Sequence, residues 1–174
     1  LSQWVATTFA TQDIYMQNPD ADTTAINQFY TYATGGSPPS QTSVDGYYKQ
    51  AFELAKEMAK RGVDVVTGGG PGLMEAANRG AKEGSNLSRS IGLPIDLPFE
   101  TDANSHLDVK SQHRRFSSRL DEFMRLSHAV VVVPGGIGTL LELLYTWQLL
   151  QVEHIKPRPF LLLAHDDIWT TFMQ

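Results

Sequence analysis

The sequence predicts an α/β protein with a Rossmann-like, doubly wound, mainly parallel sheet and helices on both faces. Short β-branched runs such as "VDVVT" (Val63 to Thr67) and "AVVVV" (Ala129 to Val133) are apolar almost throughout, the pattern of strands covered on both faces. Each runs into a glycine-rich turn and then a helical pattern, so strands and helices alternate. A chain of 174 residues, 41% hydrophobic and 19% charged, is long enough for one core and too short to expect two. Folds of this class place ligands at the carboxyl ends of their strands.

The elements follow in order. Residues 1–28 are polar and aperiodic and receive no element; they are set apart as an N-terminal extension, with 29–174 as one domain. "FYTYAT" from Phe29 reads as a strand, and "GGSPPSQTSVDG" as a loop. In "YYKQAFELAKEMAKRG", Tyr47, Ala51, Leu54, Ala55 and Met58 form one apolar stripe, and Gly62 stops the helix. Strand Val63 to Thr67, loop "GGGPG", a helix from about Pro71 to Glu83 and strand "SIGLPI" come next. "DLPFETDANSHLDV" reads as loop. A helix around Ser111 to Leu126, strand "AVVVV", loop "PGGIG", a helix to about Gln151 and strand "PFLLLA" complete the pattern. The chain stops at Gln174 inside a further helical pattern, so its natural form is expected to continue.

Composition removes several classes of function. A net charge of -5 argues against sequence-independent binding to nucleic acid or anionic membrane. With no cysteine, disulfides, thiolate nucleophiles and cysteine zinc sites are absent from this sequence, and the five histidines show no metal spacing. No signal-peptide pattern and no uninterrupted apolar span occur, which makes cytoplasmic the plain expectation.

Three glycine pairs or runs fall where a strand meets a helix: Gly35-Gly36-Ser37, Gly68-Gly69-Gly70-Pro71-Gly72 and Pro134-Gly135-Gly136-Ile137-Gly138-Thr139. Backbone N–H groups in such turns can approach an anion, and the helix dipole favours it there. Any one of them could be a tight turn with no ligand; three in one sheet point to a phosphorylated one. None carries the Lys-Ser/Thr of a P-loop, and a dinucleotide fingerprint would have only Asp96 as its ribose acid.

Two charges stand in awkward places. Glu142 is the only Asp, Glu, Lys or Arg between Arg125 and Glu153. If Gly138 or Thr139 opens the helix, Glu142 lies in its first turn, where the dipole favours a carboxylate. Its neighbours Leu140, Leu141, Leu143, Leu144, Tyr145, Trp147, Leu149 and Leu150 leave almost no polar face, so the helix reads as buried all round and Glu142 reads as a pocket acid rather than a plain helix-start carboxylate. In "SQHRRFSSRLDEFMRL", Arg119 sits in the apolar stripe of Phe116, Leu120 and Phe123, and Arg115 shares its face.

"PGGIGTLLE" resembles the PGGxGTxxE motif of the LOG (Lonely Guy) family of phosphoribohydrolases, and "TGGGPGLMEAANRGAKEG" resembles its GGGxxGLM signature, over about Thr31 to Gln174. The resemblance implies that Arg119, fifteen residues before Pro134, and Glu142 are catalytic. It also implies that Gly36, Ser37, Gly69, Gly70, Met74, Pro134, Gly135, Gly136, Gly138 and Thr139 bind the substrate, a nucleoside 5'-monophosphate cleaved to free base and ribose 5-phosphate. It further implies a homodimer or larger assembly, with no metal or organic cofactor. The sequence departs from the family pattern at Leu120, where Lys is usual, and at Leu141, where Glu is frequent. Relatives often carry the label lysine decarboxylase, but that chemistry requires a Schiff-base lysine, and nothing in the sequence frames one. A molybdenum-cofactor carrier of the same fold is the alternative that does no hydrolysis, and an NAD(P)-dependent oxidoreductase is a third reading.

Overall fold

The computed structural model describes residues 4–8, 41–96 and 103–163. They form a six-stranded sheet in which neighbouring strands pair in parallel, with the order β4-β3-β2-β1-β5-β6. The strands are β1 (Trp4–Thr8), β2 (Asp64–Thr67), β3 (Ser90–Gly92), β4 (Val109–Lys110), β5 (Ala129–Val132) and β6 (Phe160–Leu162). The helices are α1 (Gln41–Lys60), α2 (Leu73–Gly84), α3 (Phe116–Leu126) and α4 (Ile137–Gln151).

Alternation along the strands divides the core into two layers. Val65 and Val133 pack with Tyr47, Ala51, Ala55 and Ala59 of α1 and Leu73, Ala76, Ala77 and Ala81 of α2. Val66, one residue on and therefore on the opposite face, packs with Ile91, Leu93, Phe123 and Met124, and Val130 and Val132 pack with Leu143. The sheet is thus covered on both faces, as its apolar strands require.

Several boundaries differ from the sequence reading. The polar stretch 1–28 contributes β1, which lies between β2 and β5, whereas the strand expected from Phe29 lies outside the described residues. The helix placed after "GGSPPSQTSVDG" already begins at Gln41, inside that supposed loop. Val109, read as loop, and Lys110, given no element, pair with Ile91 and Gly92 as an edge strand, too short and too exposed to leave a hydrophobic pattern. α3 starts at Phe116 rather than near Ser111, and Arg115 is its N-cap instead of sharing a helical face with Arg119. No helix among the described residues is long and apolar enough to cross a membrane.

Candidate active site

Strand order reverses at β1, with β2 on one side and β5 on the other. The loops leaving those two flanking strands are Gly68 to Gly72 and Val133 to Gly136, so two glycine runs border the crevice where doubly wound sheets bind ligands.

α4 starts from the second run. Gly136 is its N-cap, without a side-chain cap bond, so the first N–H groups of the helix have no capping side chain. Gly138 and Thr139 lie in the first turn, and Pro134, within the loop, is buried. Thr139 is fully buried. Its Oγ1 and His113 Nε2 are the buried side-chain polar atoms without a partner among the described residues. An unpaired hydroxyl away from water is unfavourable, and this one sits in the turn that resembles an anion cradle.

Glu142 is the sixth residue of α4 and lies in its second turn, beyond the first-turn position expected from the sequence. The simple dipole account of a terminal carboxylate therefore weakens. Nor is α4 buried all round: Thr139, Glu142, Leu143 and Thr146 face inward, while Ile137, Leu141, Leu144 and Trp147 are exposed. The helix thus turns three of its polar residues, Thr139, Glu142 and Thr146, inward and several of its large apolar ones out.

Inside, Glu142 Oε1 pairs with Arg119 Nη1 at 3.2 Å, with both side chains largely buried. Burial pushes the Glu142 carboxyl up to about 7, and the neighbouring Arg119 acts in the opposite direction. Arg119 is itself anchored: its Nε donates to the Leu93 carbonyl at 2.7 Å, and its guanidinium lies over the Phe123 ring at 5.3 Å. It also lies against the first glycine run, where a Cβ on Gly68 would strike Arg119 Nη2 and come within 2.7 Å of Met74 Sδ. Gly68, Met74, Arg119 and Glu142 therefore form one connected group drawn from three segments. Leu120, at the position where the family pattern has Lys, is buried, and Leu141 belongs to the exposed face of α4.

Gly69 adopts φ +79 and lies so close to Gly92 that a Cβ would sit 3.2 Å from its Cα, so both its conformation and its packing call for glycine. Its N–H donates to Thr67 Oγ1 at 2.9 Å, which leaves it engaged inside the protein. Gly70 is the next residue of this run, against Met74. Gly36 and Ser37 lie outside the described residues. Asp96, the ribose acid a dinucleotide reading would require, is exposed and pairs with Arg114 at 3.7 Å. Sequence reasoning overlooked the polar residues behind the first run, Thr67, Asn78, Ser90 and Asn104. Asn78 was the available signal, a lone amide in the alanine-rich helix "MEAANRGA".

The class this defines is a Rossmann-like α/β protein with a buried Arg–Glu pair beside glycine turns at the strand ends. A family model described as "Possible lysine decarboxylase" matches residues 74–174, more than half of the chain. The chain belongs to that family, the LOG family. It is 36% identical over 130 residues to a "Probable cytokinin riboside 5'-monophosphate phosphoribohydrolase" of Oryza sativa subsp. japonica, covering 71% of this chain and 49% of the relative. It is 33% identical over 105 residues to the "Pyrimidine/purine nucleotide 5'-monophosphate nucleosidase" of Escherichia coli strain K12, covering 56% of this chain and 23% of that protein. The chain thus spans about half or less of the length of these two relatives. Among solved structures, the molybdenum cofactor binding protein of Rippkaea orientalis superposes with a TM-score of 0.62 at 20% identity, over 99% of this chain and 83% of that one. At that identity the likeness shows the shared fold alone.

Proposed function

We propose that the protein hydrolyses the N-glycosidic bond of nucleoside 5'-monophosphates, releasing free base and ribose 5-phosphate. The buried Arg119–Glu142 pair at 3.2 Å carries this reading. A carboxylate held in an apolar helix beside two glycine turns is placed to act on a neutral sugar whose phosphate is bound next to it. The names of the two curated relatives, both acting on 5'-monophosphates, support the substrate class.

In this reading the phosphate binds the N–H groups of Gly135, Gly136, Gly138 and Thr139, together with the unpartnered Thr139 hydroxyl. Pro134 shapes the turn, and Gly36, Ser37, Gly69, Gly70 and Met74 line the substrate. The C1'–N bond breaks with its electron pair leaving on the base, and positive charge develops at C1'. Glu142 as carboxylate stabilises that charge and orients water. The water's hydroxyl ends on C1' and its proton on the departing base. A carboxyl near 7 is well matched to accepting and returning a proton at neutral pH. Arg119 holds Glu142 and faces the leaving base. Retention of this pair favours hydrolysis over simple carriage of a cofactor.

The working unit is a homodimer. The exposed face of α4, with Ile137, Leu141, Leu144 and Trp147, supports it, because water is a poor covering for contiguous large apolar side chains beside the site.

Incubation with AMP, CMP, GMP and isopentenyl-AMP, followed by chromatography of the released base, tests the activity. Equimolar base and ribose 5-phosphate from at least one of them is the expected result. Cleavage of none would reject the reading.

A further inference from the structure

A buried polar network stands behind the first glycine run, and the proposed chemistry does not use it. Asn78 of α2 is fully buried. Its Oδ1 accepts from Thr67 Oγ1 at 2.7 Å and from Asn104 Nδ2 at 2.9 Å, and its Nδ2 donates to Ser90 Oγ at 2.9 Å. Asn104, in the segment before β4, also reaches the loop itself. Its backbone N–H donates to the Gly69 carbonyl at 2.8 Å, and its Nδ2 donates to the carbonyls of Gly69 at 3.1 Å and Gly70 at 2.8 Å. The His106 N–H donates to Asn104 Oδ1 at 3.0 Å, so oxygen and nitrogen of this amide are fixed by their partners.

These bonds determine where the loop can be. Thr67 grips it through the Gly69 N–H and Asn104 through two successive carbonyls, and both side chains meet at Asn78 Oδ1. Because C=O and N–H point in opposite directions across a trans peptide, the bond to the Gly69 carbonyl also turns the Gly70 N–H away from Asn104. The residue just before this clamp is Gly68, against which the guanidinium of Arg119 rests.

We propose that Asn104 is a positioning residue: by clamping the carbonyls of Gly69 and Gly70 it fixes the Gly68 surface that keeps Arg119 against Glu142. The proposal rests on Arg119 and Glu142 being the reaction centre argued above, but its geometry can be tested without turnover. Arg119 is the charge acting on the Glu142 carboxyl among the described residues, and it opposes the upward push of burial. If the loop loosens and Arg119 withdraws, Glu142 must titrate at higher pH.

The experiment follows the Glu142 carboxyl by carbon-13 NMR titration of the unliganded protein, alongside kcat and KM for AMP. Asn104→Ala deletes the clamp, and Asn104→Asp keeps its shape while presenting an acceptor to two carbonyls. Both should raise the Glu142 midpoint by about one pH unit and lower kcat about ten- to a hundredfold with a much smaller change in KM. Ser90→Ala removes a bond on the far side of Asn78 and should lower Tm while leaving midpoint and kcat unchanged. If either Asn104 variant fails to fold, Thr67→Val, which releases the Gly69 N–H, carries the same expectation. An unchanged Glu142 midpoint in the folded variants overturns the proposal. A shifted midpoint in a protein whose wild type cleaves no monophosphate would uphold the positioning role and reject the hydrolytic one.

Discussion

At the residue scale, the burial of Glu142 makes stability depend on pH. Its carboxyl rises from an ordinary 4.5 to about 7 because burial disfavours the charge more than Arg119 favours it. A folded-state pKa above the unfolded one contributes stability that is complete below the unfolded value and is lost as pH climbs through the folded value. Over that interval the loss is on the order of 3 kcal/mol. Glu142→Gln does not titrate, so wild-type Tm minus variant Tm should fall between about pH 5 and about pH 8. A difference independent of pH would show that Glu142 is not buried as described. The orphaned Arg119 lowers the variant's stability at every pH and so leaves this slope unaltered in sign. Gly68 gives a second prediction, since an added Cβ meets two flexible side-chain ends, Arg119 Nη2 and Met74 Sδ. Gly68→Ala should therefore fold with a small change in Tm and lose activity about tenfold or more as Arg119 is displaced. Full activity in that variant would dissociate the glycine run from the site.

At the element scale, α4 shows what sequence periodicity can and cannot supply. Its near-uniform leucine content reads as burial on every side, yet the inward face holds Thr139, Glu142 and Thr146 beside Leu143, and Ile137, Leu141, Leu144 and Trp147 lie outside. A pattern that is apolar all round carries no phase, so it cannot say which side meets the sheet. It also hides the difference between a face buried by the fold and one awaiting a second copy. If the exposed face of α4 forms the proposed homodimer interface, Leu144→Glu should give a folded monomer in sedimentation velocity, and a dimer that survives would place the interface elsewhere. The amphipathic helices were more legible. The stripe of Tyr47, Ala51 and Ala55 is indeed the buried side of α1, although its first turn was hidden in a run rich in Ser, Pro and Gly. β4 left no trace because two exposed residues contribute no hydrophobic alternation.

At the scale of the whole molecule, the α/β class was legible because central parallel strands must be apolar on both faces. Strand order was not. Trp4–Thr8 is a short run within a polar stretch, and only the ladders to β2 and β5 reveal it as the strand at which the order reverses. Arg119 and Glu142 were legible as charges set in apolar helical runs, and the resemblance to the LOG motifs, each within one strand-turn-helix segment, coupled the two. The residues around Asn78 and Asn104 were missed for the converse reason: their bonds join positions 11 to 35 residues apart, where no local pattern connects them. The site is consequently an assembly of the β2 loop, α3 and α4, in which Glu142 is proposed to act on the glycosidic bond. The most direct measurement is AMP binding and base release by wild type and Glu142→Gln side by side at neutral pH. The variant should bind AMP with similar affinity and release adenine at least about a hundredfold more slowly. Release at the wild-type rate by Glu142→Gln would contradict that role.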